Sequence, residues 1–199
     1  MTQWPQPPGA TPIDPSGLRD KSIRALDQLY RAEAENVRQA HVRYFGGGLT
    51  RRMAPFDYAW LLRLHKQMFG RVWDWAGQAR CGDLNLGCPW HEVPAQLQAM
   101  LADLDAWQAV PGTSALERAS RLHHRAVWVH PFRNGNGRWA RMLANIWLRL
   151  NDGQLVIWPE DTMARGEGVR EEYLASLRMA DDGDFGRLLA LHRRYSDSA

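Results

Sequence analysis

The stretch His130-Pro131-Phe132-Arg133-Asn134-Gly135-Asn136-Gly137-Arg138-Trp139-Ala140-Arg141 constrains this chain most, because it interrupts two strongly helical segments. Ahead of it, Ser114 and Glu117 form a capping box opening a helix through Leu116, Ala119, Leu122, Ala126 and Val127. That helix must stop at His130, since Pro131 disfavours helical backbone in the residue before it. Behind the loop, Trp139, Met142, Leu143, Ile146, Trp147 and Leu150 recur at helical spacing up to Asn151-Asp152-Gly153.

The rest of the chain reads in the same terms. A helix is predicted from Ser22 to about Tyr44, carrying Ile23, Leu26, Leu29, Tyr30, Val37 and Val42 and closed by Gly46-Gly47-Gly48. A second follows Pro55 with Phe56, Trp60, Leu61, Leu64 and Met68 on one face and Gly70 as its stop, and a third starts at Pro94 with Leu97, Met100, Leu101, Leu104 and Trp107. Two more close the chain, one with Val169, Tyr173, Leu174 and Leu177, the other capped by Asp184 with Leu188, Leu189 and His192. Arg80 to Pro94 is turn-rich with short alternation, the composition of a hairpin or flap, and Leu155 to Trp158 is a further strand-like fragment. Residues 1–17 hold five of the eleven prolines and read as an extended or disordered lead-in, leaving 18–199 as one domain. The expected fold class is mainly α, a helical bundle with a small β-hairpin flap.

Composition excludes several alternatives. A formal charge of +3 over 199 residues with 45% hydrophobic content is that of an ordinary globule, which rules out disorder as the main state. Arginines alternate with acids instead of forming a run, so nucleic acid is not the expected partner. No apolar run approaches the ~20 residues of a membrane span, and the N-terminus lacks the basic start and apolar stretch of a signal peptide; no membrane partner and a cytoplasmic location are expected. Cys81 and Cys88 fit no common zinc or redox spacing and read as reduced packing residues. Trp60, Trp107, Trp128, Trp139 and Trp147 fall on apolar stripes and read as core.

The chemistry concentrates in the loop. Gly135 and Gly137 remove side chains where backbone must approach a ligand, and the helix behind them aims N–H groups and a positive dipole end at the same place, which makes a phosphate cradle. Arg138 and Arg141 lie one turn apart, so both guanidinium groups can face an anion from one side. His130 is the group beside the loop able to take a proton near neutral pH. The dinucleotide fingerprint G-x-G-x-x-A also fits Gly135 to Ala140, but it needs a preceding strand where this chain has a capped helix. His123, His124 and His130 lack the spacing of a metal site; His41, His65, His91, His123, His124 and His192 read as packing or surface histidines.

These residues carry a resemblance. His130 to Arg141 is similar to the HPFx(D/E)GNGRxxR signature of the Fic/Doc family at every fixed position but one, where Asn134 replaces the usual acid. Val72-Trp73-Asp74-Trp75-Ala76-Gly77, the flap after Arg80 and Arg170-x-x-Tyr173 also resemble Fic proteins, so the likeness covers about residues 20–195; the Asn variant is similar to the bacterial subgroup called mobile mystery protein B. The resemblance implies transfer of a nucleoside monophosphate, usually AMP from ATP or another NTP with Mg²⁺, onto a hydroxyl of an unidentified target protein, with an antitoxin-like regulator as a further partner.

On that reading His130 is the general base, Asn134 a weak neutral ligand in place of the metal-holding acid, and Arg138 the group that steadies pyrophosphate. Arg133, Gly135, Asn136, Gly137, Arg138 and Arg141 contact nucleotide phosphates, and Phe132 anchors the loop. Arg80, Cys81, Gly82, Asp83, Leu84, Asn85 and Leu86 form a flap that docks the target by strand addition. Many Fic proteins carry an inhibitory [S/T]xxxE[G/N] helix whose Glu pairs with the second motif arginine. Arg31-Ala32-Glu33-Ala34-Glu35-Asn36 differs from it by one residue, which makes Glu35 the candidate inhibitory group toward Arg141. The alternatives are a catalytically weak nucleotide- or phosphate-binding module acting by partner contact, and transfer from another phosphate-bearing donor.

Overall fold

The computed structural model describes residues 13–165 and 168–196; most of the predicted lead-in, residues 1–12, lies outside them. Within the described residues the chain folds as helices α1 (Leu26–Phe45), α2 (Tyr58–Phe69), α3 (Val93–Gln108), α4 (Ala115–Val129), α5 (Asn136–Leu150), α6 (Glu160–Arg165), α7 (Val169–Asp181) and α8 (Gly186–Ser196). Their ends follow local chemistry. The Asp57 carboxylate accepts from the Trp60 N–H at 2.7 Å and the Ser114 hydroxyl from the Glu117 N–H at 3.1 Å, each satisfying a donor the helix itself leaves over. No helix of the described residues is long and apolar enough to cross a membrane.

Helices α4 and α5 make the most extensive helix–helix contact and form the centre of the bundle. Every residue of α5 from Trp139 to Leu148 is buried, so the regular stripe seen in the sequence marks a helix enclosed on all sides. Around it Trp60, Trp73, Trp139, Trp147, Tyr44, Phe69 and Phe132 are fully buried. Truncating any of these indoles or phenyl rings to Ala costs about 3–5 kcal/mol through lost transfer energy and the cavity left behind.

Five features differ from the sequence reading. Helix α1 starts at Leu26 and buries Leu29, Glu33, Asn36, Ala40 and Tyr44, while Val42 is exposed. Two polar side chains can occupy that face because both are satisfied: Asn36 donates to the Gln67 carbonyl and accepts from the Arg71 N–H, each at 2.9 Å, and Glu33 accepts from the Trp73 indole at 2.6 Å. The flap from Arg80 to Pro94 forms no strand ladder; it is a run of bends followed by a short 3₁₀ turn at Trp90–Glu92. Leu155 to Trp158 is likewise extended without a ladder, its Val156 backbone N–H and carbonyl both bonded to the Asn145 amide at 2.9 Å. Trp128 is exposed, with the Arg125 guanidinium 4.4 Å from its ring centre. The short helix α6 had no counterpart in the pattern.

Candidate active site

His130 is the C-cap of α4 and sits in left-handed backbone, φ 51° and ψ 57°, which turns the chain sharply into the loop. Its carbonyl accepts from the Arg80 Nε–H at 2.7 Å. Its Nδ1 lies 3.3 Å from the Val127 carbonyl, which can only accept, so the ring proton is on Nδ1 and the lone pair on Nε2. Burial, with the Arg80 charge adding to it, lowers the imidazole pKa to about 4, so the ring is neutral near pH 7.

The loop is locked from inside. The Asn136 amide accepts from the Phe132 N–H at 2.9 Å and donates to the Phe132 carbonyl at 2.8 Å, closing the turn. Phe132 is buried against His65 at 3.7 Å, and His65 donates from Nε2 to the Asn134 carbonyl at 3.0 Å while accepting the Gly77 N–H on Nδ1. Burial drives the His65 pKa down to about 3, so this clamp stays neutral. Gly135 has φ 79°, and a Cβ there would meet the Phe69 ring at 2.7 Å; only glycine lets the loop lie this close to α2. The first helical bond of α5 runs from the Trp139 N–H to the Gly135 carbonyl, so the N–H groups of Asn136, Gly137 and Arg138 precede it at the helix start.

The two motif arginines do not share one anion. Arg138 donates from Nη1 to Glu33 of α1 at 2.7 Å, and its guanidinium lies 4.8 Å from the Phe69 ring centre. Arg141 makes a fork–fork pair with Glu160 of α6, at 2.7 Å from Nε and 2.5 Å from Nη2. Burial opposes the Arg141 charge, but the Glu160 carboxylate outweighs it and holds the guanidinium pKa above its ordinary value. The spacing argument placed both groups on the same helix turn but missed their carboxylate partners on α1 and α6.

The other predicted residues separate into those at the loop and those away from it. Arg133 is exposed and, with Asn134, borders a cavity of about 310 Å³ that is also lined by Trp73, Trp75, Cys81 and Leu84. Gly82 and Asp83 line it too, whereas Asn85 and Leu86 are exposed beyond it. Arg80, expected to face a docked target, is instead buried: it donates to the carbonyls of His130, Gly82 and Cys88, pinning the flap to the loop. Glu35, the expected inhibitory group, is exposed on the outer face of α1 and pairs with Arg38 at 2.8 and 2.9 Å and with Gln39 at 2.8 Å, away from Arg141. Its neighbour in the near-match, Glu33, is the one that points inward. Asn134 accepts the Gly135 N–H on its own Oδ1 at 2.6 Å, and no three His, Cys, Asp or Glu side chains of the described residues converge on a common point. One engaged neutral oxygen is not the donor set that holds Mg²⁺, so these residues do not fit a protein-built metal site.

Comparison with known proteins agrees with the motif. The family model described as Fic/DOC matches residues 55–148. Protein adenylyltransferase fic-1 of Caenorhabditis briggsae is 34% identical over 143 residues, covering 68% of this chain and 27% of that protein. Protein adenylyltransferase VbhT of Bartonella schoenbuchensis is 29% identical over 163 residues, covering 78% and 33%. The chain thus spans between a quarter and a third of these curated relatives. Among solved structures, Fic-1 (residues 134–508) of C. elegans is 26% identical with a TM-score of 0.66, covering 85% of this chain and 49% of that one. BepC of Bartonella tribocorum, solved with bound AMPPNP, shares the fold at 19% identity and a TM-score of 0.67, covering 90% and 92%.

Proposed function

The chain belongs to the Fic/DOC family, and from that premise we propose that it transfers the AMP moiety of ATP to a hydroxyl side chain of a target protein. The observation that carries the reading is the His130 ring, whose Nδ1 proton is committed to the Val127 carbonyl so that Nε2 is the basic nitrogen beside the loop. In the reaction the target hydroxyl loses its proton to His130 Nε2, and its oxygen attacks the α-phosphorus. The bond from that phosphorus to the bridging oxygen breaks, and pyrophosphate leaves. The start of α5 at Asn136 and Gly137 receives the phosphates, and Arg138 and Arg141 neutralise the charge that grows on the leaving group. The proposal assigns no step to a metal ion.

Phosphate binding then requires an exchange of partners. Glu33 and Glu160 occupy the two arginines in the resting chain, and the phosphates compete with them. This pairing also supports a second reading, a nucleotide-binding module of low turnover that acts through a partner. Incubating the protein with ATP and a cell lysate, then searching modified peptides by mass spectrometry, separates the two. AMP on Ser, Thr or Tyr supports transfer; tight nucleotide binding without any adduct supports the second reading.

A further inference from the structure

Arg141 has a second contact, and the ring that makes it belongs to a buried chain of hydrogen bonds that runs through three helices. The Arg141 guanidinium lies 5.7 Å from the centre of the ring that carries the Tyr173 hydroxyl. That hydroxyl is 3.0 Å from His123 Nε2, His123 Nδ1 is 3.1 Å from His192 Nε2, and His192 Nδ1 is 2.8 Å from the Leu188 carbonyl. Tyr173, His123 and His192 are all buried, on α7, α4 and α8, with the Trp158 ring 5.0–5.7 Å from each of theirs.

The carbonyl at one end fixes the direction of every link. The Leu188 carbonyl can only accept, so His192 carries its proton on Nδ1 and presents a lone pair on Nε2. His123 must then donate from Nδ1, which leaves its own Nε2 to accept the Tyr173 hydroxyl proton. One proton arrangement satisfies all three links with both rings neutral, and burial keeps them so: it lowers the His192 pKa to about 4 and pushes that of His123 well down.

We infer that Tyr173, His123 and His192 form a positioning relay that holds the Arg141 guanidinium in place while its carboxylate partner is exchanged for nucleotide phosphate. The inference rests on the proposed role of Arg141 in phosphate binding. Glu160 takes the Nε and Nη2 edge of the fork, and the Tyr173 ring supplies a separate contact with the guanidinium that remains when Glu160 is displaced. Tyr173 and His192 lie beyond the residues the family model matches, so the C-terminal helices contribute to the site through this contact.

The test combines nucleotide titration with nitrogen NMR of the full chain. Tyr173→Leu, which removes the ring against Arg141, should weaken ATP binding about tenfold and leave AMP binding unchanged, because AMP lacks the outer phosphates. His123→Leu should act in the same direction, and His123→Gln, which keeps an acceptor for the Tyr173 hydroxyl, should recover most of the loss. Equal losses for ATP and AMP, or no loss for either, would overturn the relay. Ring nitrogen spectra of the unsubstituted protein should place the protons of His123 and His192 on Nδ1; a proton on Nε2 of either ring refutes the arrangement. If the unsubstituted protein binds neither nucleotide, the functional proposal fails, and the ring spectra decide the relay independently.

Discussion

Replacing Glu33 by Gln should move stability and ligand affinity in opposite directions. Glu33 is 2% exposed, and its two oxygens accept from the Trp73 indole at 2.6 Å and from Arg138 at 2.7 Å. Gln keeps the shape and can still accept the indole proton, but it loses the charge and turns an amide N–H₂ toward the Arg138 donors. A buried charge-assisted bond is worth about 1.5–3 kcal/mol. The Arg138 side chain retains 27% exposure, so water recovers part of this and the expected loss is about 2 kcal/mol. For a chain of this size that lowers Tm by about 4–8 °C. The same change releases Arg138 from an internal anion that phosphate must displace, so ATP should bind about tenfold more tightly. Calorimetric titration with ATP beside a thermal melt reads both quantities. An affinity that falls together with Tm would show that Glu33 orients Arg138 for the ligand and does not compete with it.

Other substitutions and conditions test separate parts of the account. Glu35→Ala should leave both Tm and ATP affinity within experimental scatter, because Glu35 pairs only with neighbours on the outer face of α1; a rise in ATP affinity would reinstate it as the restraining group. The depressed pKa values of His65, His130 and His192, about 3, 4 and 4, mean that the unfolded chain binds protons the native chain does not as pH falls below the ordinary histidine value near 6.5. Stability from these groups is therefore complete above that pH and declines toward pH 4, each contributing a slope of about 1.4 kcal/mol per pH unit well inside the window. Urea unfolding at pH 7 and pH 5 measures it, and equal stabilities would contradict the burial argument. Asn134→Asp introduces an anionic oxygen beside the cradle and should give the chain a Mg²⁺ affinity that the unsubstituted protein lacks, read by calorimetric titration with Mg²⁺; equal heats from both proteins would show that position 134 cannot hold the ion.

Sequence reached the parts of this molecule that local chemistry decides. Ser114, Gly70 and Pro131 set helix ends through neighbours a few residues away, and the stripes of α2, α3 and α5 follow from spacing alone. The loop was legible for the same reason, since glycine at 135 is a local requirement, whereas the paired amide bonds of Asn136 to Phe132 came only with the structure.

What escaped depends on groups far apart in the chain. Glu33 lies 105 residues from Arg138, and His65 lies 69 from Asn134, so no periodicity marks either pairing. Helix α1 misled because its buried face carries Glu33 and Asn36, whose polarity is offset only by partners on other elements. The alternation of the flap suggested pairing strands, but the Arg80 guanidinium occupies carbonyls of Gly82 and Cys88 that a ladder would need. A buried arginine inside a turn-rich segment was the available signal, and composition alone does not separate it from an exposed one. For His123 and His192 the sequence left packing and surface positions open; both are buried, as links between Tyr173 and α8.

Incubation with ATP labelled on the α-phosphate or on the γ-phosphate, in the presence of cell lysate, tests the central claim most directly. The account predicts that protein acquires the α label and never the γ label. It further predicts that His130→Ala removes this labelling while ATP affinity stays within a few-fold, because a general base lowers the barrier and contributes little to ground-state binding. Transfer of the γ label, or full α labelling by His130→Ala, would contradict it.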